Sequence, residues 1–434
     1  MKMKRFTRRE MLKTSIPATL GTFAIPTFIP NTAFGANDRL RVAVIGVNGR
    51  GKDHIKGFMN LANVEVATLC DVDNVVSAAG AADFEKKYSK KVATQQDLRK
   101  VFDDKNIDAV SVATPNHWHA LAAIWACQAG KDVYLEKPIS HDFNEGQKVI
   151  AAAKKYNRIV QHGVQRRSSE AVQEAVKHLR EGLIGNVYMA RGINYKWRPS
   201  LGNLEYSAVP TGLDWDMWQG PAAASKFSKN YVHYNWHWHW NYGNGEIGNQ
   251  GVHELDMALW GMDLGFPEEI TSNGGNYLWK DCRETPEVLT TTFNYPKQKK
   301  IIEFEVRPWM SNKEDGVEVG NIFYGEKGYM VVPNYDSYKT FLGQKREPGP
   351  ERKAGGDHYA NFVKAVLARD TKLQNGTVEQ GHQGAGMAHL ANISYKLGRK
   401  MNFDPKTEKF INDKEGNAML SRKYRAPYLM PEIV

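Results

Sequence analysis

A chain of 434 residues, 41% hydrophobic and 24% charged, holds core material for two domains rather than one. Its formal net charge of +10 is no nucleic-acid footprint, because half of it comes from the first 35 residues and the rest is dispersed along the chain. Three cysteines, Cys70, Cys127 and Cys282, are odd in number and widely separated, so they read as thiols rather than a disulfide framework.

Residues 1–35 are expected to lie outside the folded protein. Lys2, Lys4, Arg5, Arg8, Arg9 and Lys13 precede the apolar stretch SIPATLGTFAIPTFIP, and the small residues Ala33 and Gly35 stand just before Ala36. This is the layout of an export signal with its cleavage site. The apolar part is short and interrupted by Pro17, Pro26 and Pro30, so no stable membrane insertion is expected. Thr7-Arg8-Arg9-Glu10-Met11-Leu12-Lys13 resembles a twin-arginine (Tat) signal. That resemblance implies the Tat export machinery as a partner and a periplasmic or otherwise exported location.

LRVAVIGVNGRG, from Leu40, is an apolar run that enters glycines at once. Gly46, Gly49 and Gly51 have the spacing of a tight strand-to-helix turn whose backbone approaches a pyrophosphate. Asn48 stands where a middle glycine is usual, and asparagine tolerates left-handed backbone. VEVATLCDVD then predicts a second strand ending at Asp71, an acid placed to bind the ribose hydroxyls of NAD and to repel the 2′-phosphate of NADP. IDAVSVAT predicts a third strand, HALAAIWACQAG a helix closed by Gly130, and KDVYLEKP a fourth strand. Strands alternating with helices at this spacing predict a doubly wound parallel sheet.

Ligands of such sheets bind beyond the carboxyl ends of the strands. Two polar clusters fall there, Thr114-Pro115-Asn116-His117-Trp118-His119 and Glu136-Lys137-Pro138. A partly buried lysine beside a cationic nicotinamide has a lowered pKa and is able to exchange a proton with a hydroxyl. A cis bond before Pro138 would fix its direction.

GVNGRG, CDVD, ATPNHWH and EKP, in this order, resemble the Gfo/Idh/MocA family of sugar and cyclitol oxidoreductases, with EKP the most specific element. The resemblance runs from about Leu40 to the C-terminus. It implies an α/β protein: a Rossmann domain over residues 36–158, then residues 159–434 as an α+β domain with a large, mainly antiparallel open sheet. One face of that sheet would carry a sugar site and the other an oligomer contact, so a homo-oligomer, dimer or tetramer, is expected. NAD is the implied cofactor. The expected cofactor-binding residues are Gly46, Asn48, Gly49, Arg50, Gly51, Asp71, Thr114, Asn116, His119, Glu136, Lys137 and Gln165.

The second half opens with an amphipathic helix pattern, HDFNEGQKVIAAAKKYNR. IVQHGVQRRSS follows as strand and loop, and the family resemblance implies that Gln165, Arg166 and Arg167 lie near the nicotinamide, in reach of ribose or substrate hydroxyls. VYMARGINYKW predicts a strand leading to Tyr195, a candidate substrate contact. In HYNWHWHW the alternation predicts a strand with His237 and His239 on one face and Trp236, Trp238 and Trp240 on the other, with Trp238 offered to the sugar's C–H face. No cysteine or carboxylate completes a zinc set with these histidines, so no metal is expected. A helix begins near Gly248. On it His253 matches the family's catalytic histidine, and Asn249 stands where an aspartate is usual. An amide is no base, so Lys137 and His253 are the expected catalytic pair, Asn249 a substrate contact and Glu246 a possible substitute acid.

From 286 to 342, VLTTTFNY, KIIEFEVR, NIFYG and GYMVV alternate with turns, as in an antiparallel sheet. KREPGPERKAGGD reads as a loop, and the tail SRKYRAPYLMPEIV as an extended arm packing on a neighbour. The expected activity is exported, NAD-dependent hydride transfer at a ring carbinol of a sugar, glycoside or cyclitol. A related glycoside hydrolase family offers an alternative, bond cleavage through transient C3 oxidation with no net redox change. A non-catalytic carbohydrate-binding protein is the third reading.

Overall fold

The run Leu40–Ile45 is strand β1, at the centre of a six-stranded sheet, in the computed structural model, which describes residues 39–308 and 311–432. The export leader lies outside the described residues. β1 pairs in parallel with β2 (Val64–Cys70) on one side and β4 (Ala109–Val112) on the other. β3 (Ala93–Gln95), β5 (Asp132–Leu135) and β6 (Val160–His162) complete the order β3-β2-β1-β4-β5-β6, parallel throughout. The order reverses between β1 and β4, which opens a crevice at their carboxyl ends. β1, β4 and β5 are apolar on both faces because helices cover both: Gly51–Met59 and His358–Ala368 on one side, Asn116–Gln128 and Phe143–Lys155 on the other.

The second sheet has ten strands: β7 (Val187–Asn194), β8 (Glu269–Gly275), β9 (Val288–Tyr295), β10 (Lys300–Val306), β11 (Val319–Gly325), β12 (Gly328–Val332), β13 (Ser337–Leu342), β14 (Glu347–Lys353), β15 (Met401–Asp404) and β16 (Lys409–Phe410). All neighbours are antiparallel except β7 and β10. Alternation decides its faces. Ile302, Phe304 and Val306 are buried under the helices Glu170–Arg180, Val252–Met262 and Val378–Leu397, while Glu303 and Glu305 between them point to the opposite face.

Two expectations change, and the C-terminal arm also makes contacts within its own chain. HYNWHWHW is no strand: Asn235–Trp238 is a 3₁₀ turn folded against Gly243, where a side chain would strike the His237 carbonyl at 2.5 Å. Residues 347–353 are not loop but β14, and Pro348 and Pro350 are tolerated because this is the sheet's edge. The C-terminal arm packs on its own chain. Tyr428 sits edge-on to Trp118 at 5.4 Å, and Arg422 pairs with Glu145 at 2.9 Å.

Two consecutive arginines tie the halves together. Arg166 and Arg167 follow β6 in a short 3₁₀ turn, and each reaches an acid of the helix Val252–Met262. Arg166 donates to Glu254 at 3.0 Å and Arg167 to Asp256 at 2.8 Å through two nitrogens, while the Arg167 guanidinium lies 4.8 Å from the Trp260 ring centre. All four charged groups are buried. Removing one member of such a pair strands a charge, so Arg167→Ala is expected to cost about 3–5 kcal/mol in urea unfolding, whereas Arg167→Met with Asp256→Leu costs much less.

Candidate active site

The turn after β1 is built for a ligand that touches backbone. Gly46 has φ 82° and lies so close to β4 that a Cβ would meet the Ala113 carbonyl at 2.7 Å. At Gly51 a Cβ would meet the Gly46 carbonyl at 1.9 Å, so the helix can start here only with glycine. Gly49, by contrast, has no atom within 4 Å of its Cβ position and offers its backbone to the cleft. Asn48 is exposed and takes no left-handed backbone, because Gly46 alone turns the chain. Beyond β2, Asp71 accepts from Val47 N at 2.9 Å and Asp73 N at 3.1 Å, which aims its carboxylate along the cleft. Burial raises the Asp71 pKa, and the two backbone bonds oppose the rise. A glycine cradle that a Cβ would fill, followed by an acid at the next strand end, fits the diphosphate and adenosine ribose of NAD.

Gly46, Asn48, Gly49, Arg50, Asp71, Thr114, Asn116, His119, Glu136, Lys137 and Asn249 line one cleft of about 290 Å³. Glu136, at the end of β5, organises it. Its Oε1 accepts from Arg50 Nε at 2.9 Å and Gln165 Nε2 at 3.0 Å and faces His54 Nε2 at 3.1 Å, and its Oε2 accepts from Lys137 N at 3.1 Å. Burial alone would raise its pKa, but Arg50, His54 and Lys137 hold the carboxyl well below the usual range. Burial keeps His54 neutral, so Nε2–H donates to Glu136 and Nδ1 accepts from the Ser111 hydroxyl at 2.7 Å. Gln165 therefore supports the cleft through Glu136 and is not part of its wall.

Lys137 follows, with a cis bond to Pro138. Its Nζ donates to the Asn249 carbonyl at 2.6 Å and to Asn249 Oδ1 at 3.2 Å. Burial lowers its pKa, with Glu136 opposing and Arg50 adding to the effect. Asn249 lies in a π-turn, Ile247–Gly251, that opens directly into the helix carrying His253. His253 is buried, its Nδ1 has no partner, and its ring meets Tyr335 edge-on at 5.0 Å. Burial, with Lys137 and Arg166 nearby, keeps it neutral. Glu246 is no spare base: Arg198 and Asn194 hold both its oxygens, at 2.6 and 2.9 Å.

Three expected substrate contacts lie elsewhere. Arg167 is consumed by Asp256. Tyr195 points to the far face of the sheet, where its hydroxyl donates to Glu314 at 2.9 Å and lies 3.0 Å from Glu305. The cause is strand alternation, since Asn194 next to it faces Glu246 on the cleft side. Trp238 is 2% exposed, with Arg198 and Arg283 within 5.5 Å of its ring centre. In its place Trp118, Trp218, His233, Tyr234, Trp236 and His237 line the same cleft as the glycine turn. The aromatic density of this stretch marked it in the sequence, but a turn in place of a strand exchanged the residues that face inward.

Glu136 makes a pH prediction. A carboxylate whose folded pKa is depressed stabilises the fold above its unfolded pKa and loses that contribution as pH falls through the folded value. In urea unfolding, the deficit of Glu136→Gln relative to wild type is expected to be full near neutral pH and to close as pH drops below about 4.5.

Against known proteins, the family model described as "Oxidoreductase family, NAD-binding Rossmann fold" (Gfo/Idh/MocA) matches residues 40–164, and that family's C-terminal alpha/beta domain matches residues 169–430. A levoglucosan dehydrogenase of Pseudarthrobacter phenanthrenivorans is 29% identical over 226 residues, 51% of this chain and 50% of that one. A glycosyl hydrolase family 109 protein of Saccharopolyspora erythraea is 28% identical over 253 residues, 50% of this chain and 54% of that one. The chain thus spans about half the length of the curated relatives it matches. Among solved structures, the WlbA dehydrogenase of Bordetella pertussis, crystallised with NADH and UDP-GlcNAcA, superposes with a TM-score of 0.64 at 17% identity over 84% of this chain and 99% of that one. The two family models together cover nearly all of the described residues, and the chain belongs to the NAD-binding Gfo/Idh/MocA oxidoreductase family.

Proposed function

We propose that the protein oxidises or reduces a ring carbinol of a sugar, glycoside or cyclitol. The observation that carries this reading is Lys137: a buried amine with a lowered pKa, held on Asn249 at the strand-end of a dinucleotide cleft, with neutral His253 close by. The levoglucosan dehydrogenase match points to the same substrate class. Bound NAD supplies the hydride acceptor for the carbinol C–H. Lys137, in its neutral form, accepts the hydroxyl proton, and the two Asn249 oxygens then stabilise the ammonium. His253, which is buried and not part of the cleft wall, stays neutral and so adds no positive charge beside the lysine.

Lys137→Ala is expected to retain NAD, held by the glycine turn and Asp71, and to lose about 10²–10⁴-fold in turnover. Near-normal turnover in that variant on a sugar the wild type accepts would sink the assignment. In the oxidation direction kcat/KM is expected to rise with pH, because the neutral amine is the active form, and to level off below the free-lysine value of 10.5.

A second reading, redox-neutral glycoside cleavage, draws support from the family 109 match and from the amide at position 249. Aryl glycosides separate the two: aglycone release without a lasting nicotinamide absorbance change favours cleavage. We also propose export through the Tat route, on the strength of TRREMLK, and assembly as a homo-oligomer. Replacing Arg8 and Arg9 with lysine is expected to leave the precursor inside the cell, and a fully exported variant would overturn the twin-arginine reading of this segment.

A further inference from the structure

We propose that His237 is a substrate-binding residue whose Nε2 accepts a hydrogen bond from one ring hydroxyl and so decides which positional isomers the cleft admits. The inference rests on the carbohydrate reading of the cleft and extends it to a residue on the aromatic wall.

The geometry determines the tautomer. His237 Nδ1 lies 2.6 Å from the Tyr234 carbonyl, which can only accept, so Nδ1 carries the hydrogen. In a neutral imidazole the lone pair is then on Nε2. The ring cannot easily turn away. It is stacked on Trp236 at 3.6 Å and 20°, and Tyr234 meets it at 4.7 Å. His237 lines the same cleft as Lys137 and Asn249.

Its charge state separates an acceptor from a base. Burial pushes the pKa down to about 3; the Tyr234 bond and Glu246 oppose this, while Lys137 and Arg198 add to it. A group that weakly basic stays neutral through the working range and holds on to no substrate proton. What it offers is a fixed lone pair on a rigid aromatic shelf. A substrate hydroxyl satisfies that lone pair, whereas a deoxy analogue leaves it dry and unpaired, the arrangement by which enzymes reject analogues lacking a donor.

The test uses the NAD-loaded protein with levoglucosan, methyl β-D-glucoside and myo-inositol, followed by the monodeoxy derivatives of whichever is turned over. Wild type is expected to discriminate against one deoxy position by about 10–100-fold in kcat/KM. His237→Leu should lower kcat/KM for the parent sugar and abolish discrimination at that position alone. His237→Gln, whose amide oxygen can reach the place of Nε2, should restore much of it. Unchanged NAD affinity and circular dichroism check that the variants are folded. If His237→Leu does not fold, the comparison of His237→Gln with wild type and the ¹⁵N-histidine spectrum decide. That spectrum should show an Nδ1–H tautomer that does not titrate between pH 5 and 9, and titration near pH 6.5 would overturn the proposal. Discrimination retained in His237→Leu overturns it alone, whereas a wild type that turns over none of these compounds removes the carbohydrate reading with it.

Discussion

Glu136 carries a negative charge at the end of β5 that the surrounding protein has almost wholly removed from water. Such a charge persists only if donors surround it, and the donors come from three places in the sequence: Arg50 just before the first helix and His54 on it, Lys137 beside the glutamate, and Gln165 beyond β6. Each is thereby placed. Arg50 covers the glycine turn, and Lys137 is directed toward Asn249. Without the charge, the phosphate cradle and the lysine would be features of neighbouring strands with no common frame.

The same economy of paired charges holds the second half in register. Arg166 and Arg167 occupy two successive positions after β6, and their partners Glu254 and Asp256 lie on the helix that begins just after Asn249. The ion pairs set the height of that helix against the dinucleotide-binding sheet, and therefore where Asn249 and His253 stand relative to Lys137. Charges so placed near the lysine matter for its chemistry. With an amide at 249, Glu136 held by Arg50 and Glu246 held by Arg198, burial outweighs the opposing pull of these two carboxylates and lowers the lysine's pKa.

Part of the cleft lining is aromatic. Trp118, Trp218, Tyr234 and Trp236 present flat, rigid surfaces, with His237 set among them as a polar point. Such a wall suits a ring with C–H faces and hydroxyl edges. The C-terminal arm reinforces it from behind, since Tyr428 packs on Trp118, whose indole donates to the Met217 carbonyl at 2.9 Å.

Local sequence was enough to determine the dinucleotide-binding half. Its signals are short-range: an apolar run, glycines where no Cβ fits, an acid at the next strand end, and Glu136-Lys137-Pro138 at another. Gly46 and Gly51 are demanded by contacts within one turn and its neighbouring strand, so spacing alone revealed them. The aromatic side of the cleft was decided by tertiary structure. Whether Tyr195 faced the cleft depended on the register of β7, and Arg167 was taken by an acid 89 residues away. The tryptophan that reached the cleft was Trp236 and not Trp238, because the chain folds back on Gly243 into a turn and breaks the two-residue alternation the sequence suggested. Side-chain direction on that wall is set by long-range packing, and residue order along the chain carries almost none of that information.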